Sequence, residues 1–251
     1  MDLRNARAWV VGASSGIGAE VARELVQRGA RVAVSARSGS DLEKVSGGDM
    51  FVVPLDVTNH AAVAAAAQQV TSELGGIDVL VAAAGYWQQT TPGELDLDTF
   101  ARHVSVNLLG MAACISAVLP AMRARGNGTV VGIASVAGYR GIPGAEAYGP
   151  TKAAQINLLE ALRAGLRGSG VTVQTVCPGF VDTPMTERNE FPMPFMVPAD
   201  RAARTIADGI ETGKAEIVFP WQMAVLMKTA RLAPVRLWSL LVQPRADRAH
   251  S

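Results

Sequence analysis

Residues 8–18 read AWVVGASSGIG, and four apolar residues in this stretch run directly into a glycine-rich turn. Gly12, Gly16 and Gly18 give the spacing G-x-x-x-G-x-G, and a helix-like segment follows at once. Glycine permits a tight turn and lets the backbone approach a pyrophosphate, while the helix N-terminus offers unpaired N–H groups and a positive dipole end. Because the glycines lie between a predicted strand and a predicted helix, the stretch predicts a dinucleotide-binding βαβ unit.

The remainder of the chain repeats this alternation of short apolar runs and longer helix-like segments. Most runs are apolar throughout, which is typical of strands covered on both faces. We therefore predict an α/β Rossmann-type fold, a doubly wound parallel sheet of about seven strands with helices on both faces. No linker interrupts residues 1–251, which predicts a single dinucleotide-binding and catalytic domain. The predicted strands are 8–11, 32–35, 51–54, 79–82, 129–134, 171–177 and 216–219, and the predicted helices are 16–28, 61–74, 97–125, 153–167 and 199–212.

Composition narrows the functions that the chain can have. It is 49% hydrophobic and carries a net charge of +1, which gives no reason to expect a nucleic-acid partner. Cys114 and Cys177 lie in apolar stretches, as buried free thiols of a reducing compartment do. The N-terminus passes straight into the first strand-like run without a long apolar segment, so we expect a cytoplasmic protein.

The end of the second predicted strand bears on the identity of the dinucleotide. Residues 31–41 read RVAVSARSGSD, which places Ala36 and then Arg37 where an Asp or Glu would hold a free ribose 2′-hydroxyl. A guanidinium pairs with a 2′-phosphate that a carboxylate would repel, so the sequence favours NADP(H) over NAD(H). A solvated surface charge is the alternative for Arg37. The candidate hydroxyl donors nearby are Ser14, Ser35 and Ser38.

Tyr148 and Lys152 stand one helical turn apart in the sequence AYGPTKAA of residues 147–154. One turn places both side chains on the same helix face. The ammonium and the positive end of the helix both favour a phenolate, which predicts a lowered pKa for a tyrosine that ordinarily ionises at about 10. Pro150 is compatible with the first helical turn, where its missing N–H has no partner. The pair predicts a general acid–base group for the reduction of a carbonyl.

These residues, in their order and spacing, resemble the short-chain dehydrogenase/reductase family from about residue 6 to residue 219. Ser135, in GIASVAG, precedes Tyr148 by thirteen positions, as the serine of that family usually does. The resemblance implies hydride transfer between a nicotinamide ring and a carbonyl or alcohol carbon. The catalytic set that it implies is Asn107, Ser135, Tyr148 and Lys152. The cofactor site that it implies comprises Gly12, Ser14, Ser15, Gly16, Ile17, Gly18, Arg37, Asp56, Val57, Ala84, Gly85, Tyr148, Lys152, Pro178, Gly179, Val181 and Thr183.

The family assigns a role to each of these side chains. Its serine orients the substrate oxygen through an oxyanion-type hydrogen bond, although Ser135 is otherwise a turn hydroxyl. Its lysine also holds the nicotinamide ribose, and its threonine, matched by Thr183, lies near the carboxamide. Asn107 matches an asparagine that holds a relay water, with a satisfied core amide as the alternative. Asp56 either accepts from the adenine amino group or caps the following helix.

The chain departs from the family pattern at two places. Val11 stands where a threonine is common, and residues 82–85 read AAAG where the family has Asn-Asn-Ala-Gly. Those asparagines tie the cofactor pocket to the sheet, so their loss is expected to weaken cofactor affinity or stability. It removes no acid, base or hydride-positioning group.

Specificity is expected from loops at the carboxyl ends of the strands, namely residues 86–87, 139–143 and 180–197. The last segment is rich in Met and Phe, which suits either a lid over a bulky apolar substrate or plain packing. Residues 221–242 form an apolar amphipathic extension that contains three basic residues. They predict short helices over the active site or a subunit interface, or else an anchor at a membrane surface.

The leading interpretation is an NADP(H)-dependent carbonyl reductase. A cofactor-binding sensor or scaffold with little turnover is the alternative, and a membrane-peripheral protein is a third possibility. Because the helices at 97–125 and 153–167 are apolar over wide arcs, we expect a homodimer or homotetramer. His103 is interpreted as structural or exposed, and the sequence indicates no metal site.

Overall fold

The fold is built on a central sheet of parallel strands, seen in a computed structural model that describes residues 1–91, 94–187, 189 and 191–242. The strands are β1 (Arg7–Val11), β2 (Arg31–Ser35), β3 (Phe51–Val52), β4 (Val79–Ala82), β5 (Gly128–Ile133), β6 (Val171–Pro178), β7 (Val181–Asp182), β8 (Val197–Pro198) and β9 (Glu216–Phe219). Seven of them follow the order β3-β2-β1-β4-β5-β6-β9, and β7 pairs with β8 separately. Since the strand order reverses between β1 and β4, a ligand crevice is expected at their carboxyl ends.

Helices cover both faces of this sheet. They are α1 (Gly16–Gln27), α2 (Gly39–Ser46), α3 (His60–Leu74), α4 (Leu97–His103), α5 (Gly110–Arg125), α6 (Tyr148–Gly165), α7 (Ala199–Thr212), α8 (Trp221–Leu232) and α9 (Val235–Leu241). Along β1, Ala8 and Val10 pack in the core with α1 and α7, whereas Trp9 and Val11 pack in the core with α3 and α5. This alternation follows from the two-residue period of a strand. The predicted fold class is confirmed.

Several elements differ from the sequence prediction, among them β7 and β8, which were not predicted. Helix α2 was not predicted because it is short and polar, yet Ser38 caps its start and Gly47 ends it in the left-handed conformation. Strand β3 ends at Val52, before Pro54, which has no N–H to donate to a sheet. Helix α6 begins at Tyr148 rather than at residue 153, so the predicted acid stands in its first turn.

The helix predicted over residues 97–125 is continuous, but it is wound more loosely at its centre. A π-helical segment, Val104–Leu109, separates α4 from α5 and contains Asn107. Gly110 follows at a close contact, where a Cβ would lie 2.7 Å from Cγ2 of Val57. Such π segments often occur at functional sites.

Candidate active site

The glycine loop closes against the turn that follows β4. Gly12 has a φ of +90°, and a Cβ there would lie 2.4 Å from the backbone nitrogen of Ala84. A Cβ on Gly18 would lie 2.2 Å from the carbonyl oxygen of Gly12. Both positions therefore require glycine, because the backbone packs too closely there for a Cβ. The N-terminus of α1 stays open, because the Ser15 side chain makes no capping hydrogen bond there.

A cleft of about 1930 Å³ opens above the carboxyl ends of β1 and β4. Every predicted cofactor residue lines it, from the glycine loop through Arg37 and Asp56 to Thr183. Of the predicted catalytic residues, Ser135, Tyr148 and Lys152 line the cleft and Asn107 does not. The structure therefore brings the glycine loop and the acid–base pair to one site.

Two cations, Arg37 and Arg102, line the cleft and act on Asp56. Arg37 is exposed there, and among the ion pairs of the described residues none includes it. Ser38 lines the cleft, and its hydroxyl accepts from the backbone N–H of Asp41 at 3.3 Å. The prediction for Ser35 is wrong. Its hydroxyl is buried and accepts from Nε1 of Trp9 at 2.9 Å, since side chains alternate along a strand.

Asp56 lies beside the cleft in a turn of its own. Its carboxylate accepts from the backbone N–H of Thr58 at 2.9 Å and from the Thr58 hydroxyl at 2.8 Å. These hydrogen bonds, the backbone one first, hold the Asp56 pKa below its usual value. Helix α3 is capped by Asn59, which accepts from the backbone N–H of Ala62 at 3.0 Å. The alternative that Asp56 caps this helix is therefore wrong.

Tyr148, Lys152 and Ser135 converge from α6 and from the end of β5. Lys152 is only 3% exposed, and its nitrogen lies 5.3 Å from the centre of the Tyr148 ring. It donates to the carbonyl oxygen of Ile133 at 3.0 Å. The Ser135 hydroxyl accepts from the backbone N–H of Ala137 at 3.1 Å, which fixes it at the start of a short 3₁₀ turn.

Burial sets the protonation of the pair. It raises the pKa of Tyr148 to about 12, against a smaller lowering by a hydrogen bond with Ser135. Burial lowers the pKa of Lys152 to about 7. The expected lowering of the Tyr148 pKa is thus wrong for the ligand-free chain, because desolvation outweighs the hydrogen bond with Ser135. At neutral pH the phenol is protonated, which is the form that a proton donor needs.

Asn107 supports the site from behind, through bonds that satisfy its amide. Its Oδ1 accepts from the backbone N–H of Tyr86 at 2.7 Å, and its Nδ2 donates to the Tyr86 carbonyl and to the Thr151 hydroxyl, both at 3.1 Å. Its own carbonyl accepts from Nε2 of Gln155 at 2.5 Å. The Asn107 side chain is therefore a satisfied core amide, which was the alternative to the relay role in the sequence analysis. Its hydrogen bonds to Tyr86 hold the loop after β4.

His103 performs a related task that the sequence did not indicate. It is fully buried, with its ring centre 4.7 Å from that of Tyr86 and 6.3 Å from that of Tyr148. The backbone N–H of Gln88 donates to Nε2 at 3.2 Å, so Nδ1 carries the proton that is donated to the Thr99 carbonyl at 2.8 Å. Burial lowers the His103 pKa and favours this neutral form. Its structural interpretation is confirmed.

Trp87 connects the loop after β4 and the segment 180–197 to Tyr148. Its ring meets that of Tyr148 edge-on, with centres 5.0 Å apart, and its Nε1 donates to Oδ1 of Asn189 at 2.9 Å. Within the segment 180–197, some apolar residues line the cleft and others do not. Those that line it include Phe180, Met185 and Phe191, whereas Met193, Phe195 and Met196 do not. Phe195 and Met196 are exposed, so plain packing does not account for them, and the lid stays a prediction.

Neither cysteine offers a reactive thiolate. Cys114 and Cys177 are free and buried, as predicted, and burial raises their pKa values to about 12 and about 11. Among the residues that the structure describes, no group of three or more His, Cys, Asp or Glu side chains is arranged to hold a metal ion.

Comparison with known proteins agrees with this site. Residues 6–192 match the family described as short chain dehydrogenase, and the chain belongs to that family. It is 39% identical to an uncharacterized oxidoreductase of Myxococcus xanthus (strain DK1622), over 90% of this chain and 92% of that one. It is 37% identical to the 2-dehydro-3-deoxy-L-rhamnonate dehydrogenase (NAD(+)) of Sphingomonas sp. (strain SKA58), over 72% and 74% of the two chains.

Solved structures give the same result. The crystal structure of a short-chain dehydrogenase from Streptomyces avermitilis superposes with a TM-score of 0.82 at 28% identity, over 94% of this chain and 96% of that one. The protein is therefore an oxidoreductase of the short-chain type that acts on alcohol or carbonyl groups with a nicotinamide cofactor. The alternative of a sensor or scaffold with little turnover is not favoured.

The lowered pKa of Lys152 predicts a pH-dependent stability. Because the unfolded lysine binds its proton up to a pH of about 10.5 and the folded one only up to about 7, burial of the charge costs most at low pH. The free energy of unfolding of the ligand-free protein should rise by about 2 kcal/mol from about pH 7 to about pH 9 through this group. Urea denaturation of Lys152→Met should lack this rise.

The exposed Lys214→Met variant is the matched control and should keep the wild-type rise. An equal rise in Lys152→Met and in wild type would contradict the assignment.

Proposed function

We propose that the protein reduces an apolar ketone or aldehyde with NADPH. One observation supports this most: Ser135, Tyr148 and Lys152 lie in the same cleft as the glycine loop and Arg37. The nicotinamide ring, when bound, supplies the hydride to the carbonyl carbon. The chain's own groups fit such a cofactor, since the open N-terminus of α1 offers N–H groups to a pyrophosphate.

The proposed preference for NADP(H) depends on Arg37. Its guanidinium is exposed at the cleft, and Ala36 before it leaves no carboxylate at the end of β2 to bind a ribose 2′-hydroxyl. Ser14 and Ser38 line the same cleft and add hydroxyl groups. The Sphingomonas relative has NAD(+) in its name, so a preference for NADP(H) does not follow from membership of the family. In this chain the proposed preference comes from Arg37.

In the proposed mechanism Tyr148 donates the proton to the substrate oxygen. Its raised pKa keeps the phenol protonated at neutral pH, ready for a reduction. Ser135 donates a hydrogen bond to the same oxygen and stabilises the negative charge that develops there. Lys152 would hold the nicotinamide ribose, and its ammonium, 5.3 Å from the centre of the Tyr148 ring, would stabilise the phenolate that remains after the proton is donated. Asn107 takes no part in this proton transfer, because its amide and its backbone carbonyl are hydrogen-bonded within the core.

Loss of the serine hydroxyl tests the proposed activity. Wild type should oxidise NADPH in the presence of apolar ketones or aldehydes, followed at the cofactor absorbance. Ser135→Ala should lower kcat by about 10²–10³, because one hydrogen bond to the developing charge is removed. The exposed Ser72→Ala in α3 is the control. Wild-type turnover in Ser135→Ala, or no turnover in wild type with any such compound, would contradict the proposal.

Cofactor preference has its own test. Wild type should bind NADPH more tightly than NADH in a fluorescence titration. Arg37→Ala should weaken NADPH binding by about 1.5–3 kcal/mol, the value of a hydrogen bond to a charged group, and should change NADH binding little. Lys44→Ala removes an exposed cation from the adjacent helix as a control. Equal losses for both cofactors in Arg37→Ala would disprove the 2′-phosphate assignment.

We also propose a cytoplasmic homodimer or homotetramer. Only 33% of the most apolar window in Leu97–Arg125 is buried within one chain, and its mean hydropathy is 1.8. Among the described helices this one is long and apolar enough to cross a membrane, a test that core helices of soluble proteins also pass. A second copy would cover its exposed side together with that of α6. Light scattering at micromolar concentration should give a dimer or tetramer, and a monomer would contradict this.

A further inference from the structure

The C-terminal helix pair, α8 and α9, presents an unusually apolar surface. Half of the large hydrophobic side chains that are exposed among the described residues lie in it. Leu232 is 85% exposed and Trp221 is 71% exposed. Helix α9 buries none of its residues. The exposed apolar side chains of the pair are Trp221, Val225, Leu226, Leu232, Val235, Leu237, Leu240 and Leu241. A patch of this kind indicates an interaction site.

The charges within this surface are all positive. Residues 221–242 contain Lys228, Arg231 and Arg236 and no Asp or Glu. Lys228 pairs with Glu216, whereas the exposed Arg231 and Arg236 belong to none of the ion pairs found in the described part of the chain. Apolar residues mixed with Lys and Arg are the composition of helices that lie in the interface of an anionic membrane.

The pair also forms part of the wall of the cleft. On its inner side Met223 and Met227 are buried, and both line the cleft together with Leu241. Two hydrogen bonds hold the pair on the loop before α6. Nε1 of Trp238 donates to the Gly141 carbonyl at 2.7 Å, and Arg140 donates to the Ala233 carbonyl at 3.0 Å. One side of the pair therefore belongs to the cleft while the other side is exposed.

We propose that α8 and α9 dock on an anionic phospholipid bilayer and bring the mouth of the cleft to its surface. An apolar carbonyl compound dissolved in the bilayer would then enter the cleft without crossing water. This consequence for the substrate rests on the proposed function, whereas the docking itself does not. The cytoplasmic leaflet is anionic and attracts basic segments, which agrees with the proposed location of the protein.

A second copy of the chain is a less suitable occupant. In a two-fold contact across this surface the cations of one copy would approach those of the other, and residues 221–242 supply no carboxylate to pair with them. Like charges at an interface oppose association. The proposed contact between copies also involves a different surface, on Leu97–Arg125 and α6.

Vesicle flotation of the full-length protein tests the proposal. Wild type should float with vesicles of phosphatidylcholine and phosphatidylglycerol, and much less with pure phosphatidylcholine. Replacing both arginines, Arg231→Gln with Arg236→Gln, should lower the partition coefficient about 25-fold, or about fivefold for each basic residue. Leu232→Glu with Leu240→Glu should abolish flotation, because both side chains are exposed and belong to the apolar face.

Two controls match these variants. Arg201→Gln with Lys214→Gln removes the same charge from exposed positions outside the pair, and Leu95→Glu changes an exposed leucine elsewhere. Both controls should float as wild type does, and circular dichroism confirms that every variant is folded. Three outcomes would each overturn the proposal. Wild type fails to float, or the controls lose as much flotation as the test variants, or Leu232→Glu with Leu240→Glu changes the oligomeric state of the protein in the absence of vesicles. Turnover of a water-soluble carbonyl compound, measured separately, reports on the proposed function alone.

Discussion

The burial of the Lys152 ammonium is the constraint on which the site depends. A buried charge is costly unless it is paired or hydrogen-bonded, and among the residues that the structure describes the Ile133 carbonyl is the acceptor for this ammonium. This geometry requires α6 to lie very close to β5 and the turn after it. A Cβ on Gly132 would lie 2.4 Å from Leu159, and a Cβ on Gly138 would lie 2.6 Å from the backbone of Lys152. Glycine at these two positions thus lets α6 pack closely enough to bury the Lys152 amine, and burial lowers the pKa of that amine to about 7.

The loop after β4, which places Trp87 against Tyr148, depends on a neighbouring helix for its support. The chain has alanines at 82 and 83, so this loop lacks the amide side chains that would tie it to the sheet. Its support comes instead from the helix that contains the π segment. Asn107 binds both backbone groups of Tyr86, and His103 accepts from the backbone N–H of Gln88. Polar groups of this helix thus hold the loop whose strand end lacks amide side chains.

Local patterns predicted the fold and much of the site because their physics is local. The glycine spacing at Gly12 and Gly18 follows from backbone approach, and the pairing of Tyr148 with Lys152 follows from the helical period. The alternation of strand and helix predicted the parallel sheet, because each strand and each helix is recognised from its own local pattern.

What depends on tertiary packing was not predictable. The Ser35 hydroxyl is taken by Trp9 across the sheet, and His103 meets a loop that is distant in the sequence. The predicted direction of the Tyr148 pKa shift was also wrong, because the shift depends on how much water α6 and β5 exclude from the phenol.

A single-turnover measurement distinguishes proton donation by Tyr148, as proposed above, from a structural role. Tyr148→Phe is mixed with saturating NADPH and a carbonyl compound that wild type reduces, and NADPH oxidation is followed in one turnover. If Tyr148 is the donor, the variant should keep the wild-type fold and NADPH affinity, and its rate should fall by at least about 10²-fold, the contribution of general acid catalysis. A wild-type rate in Tyr148→Phe would contradict the account, and the pair at the start of α6 would then be structural.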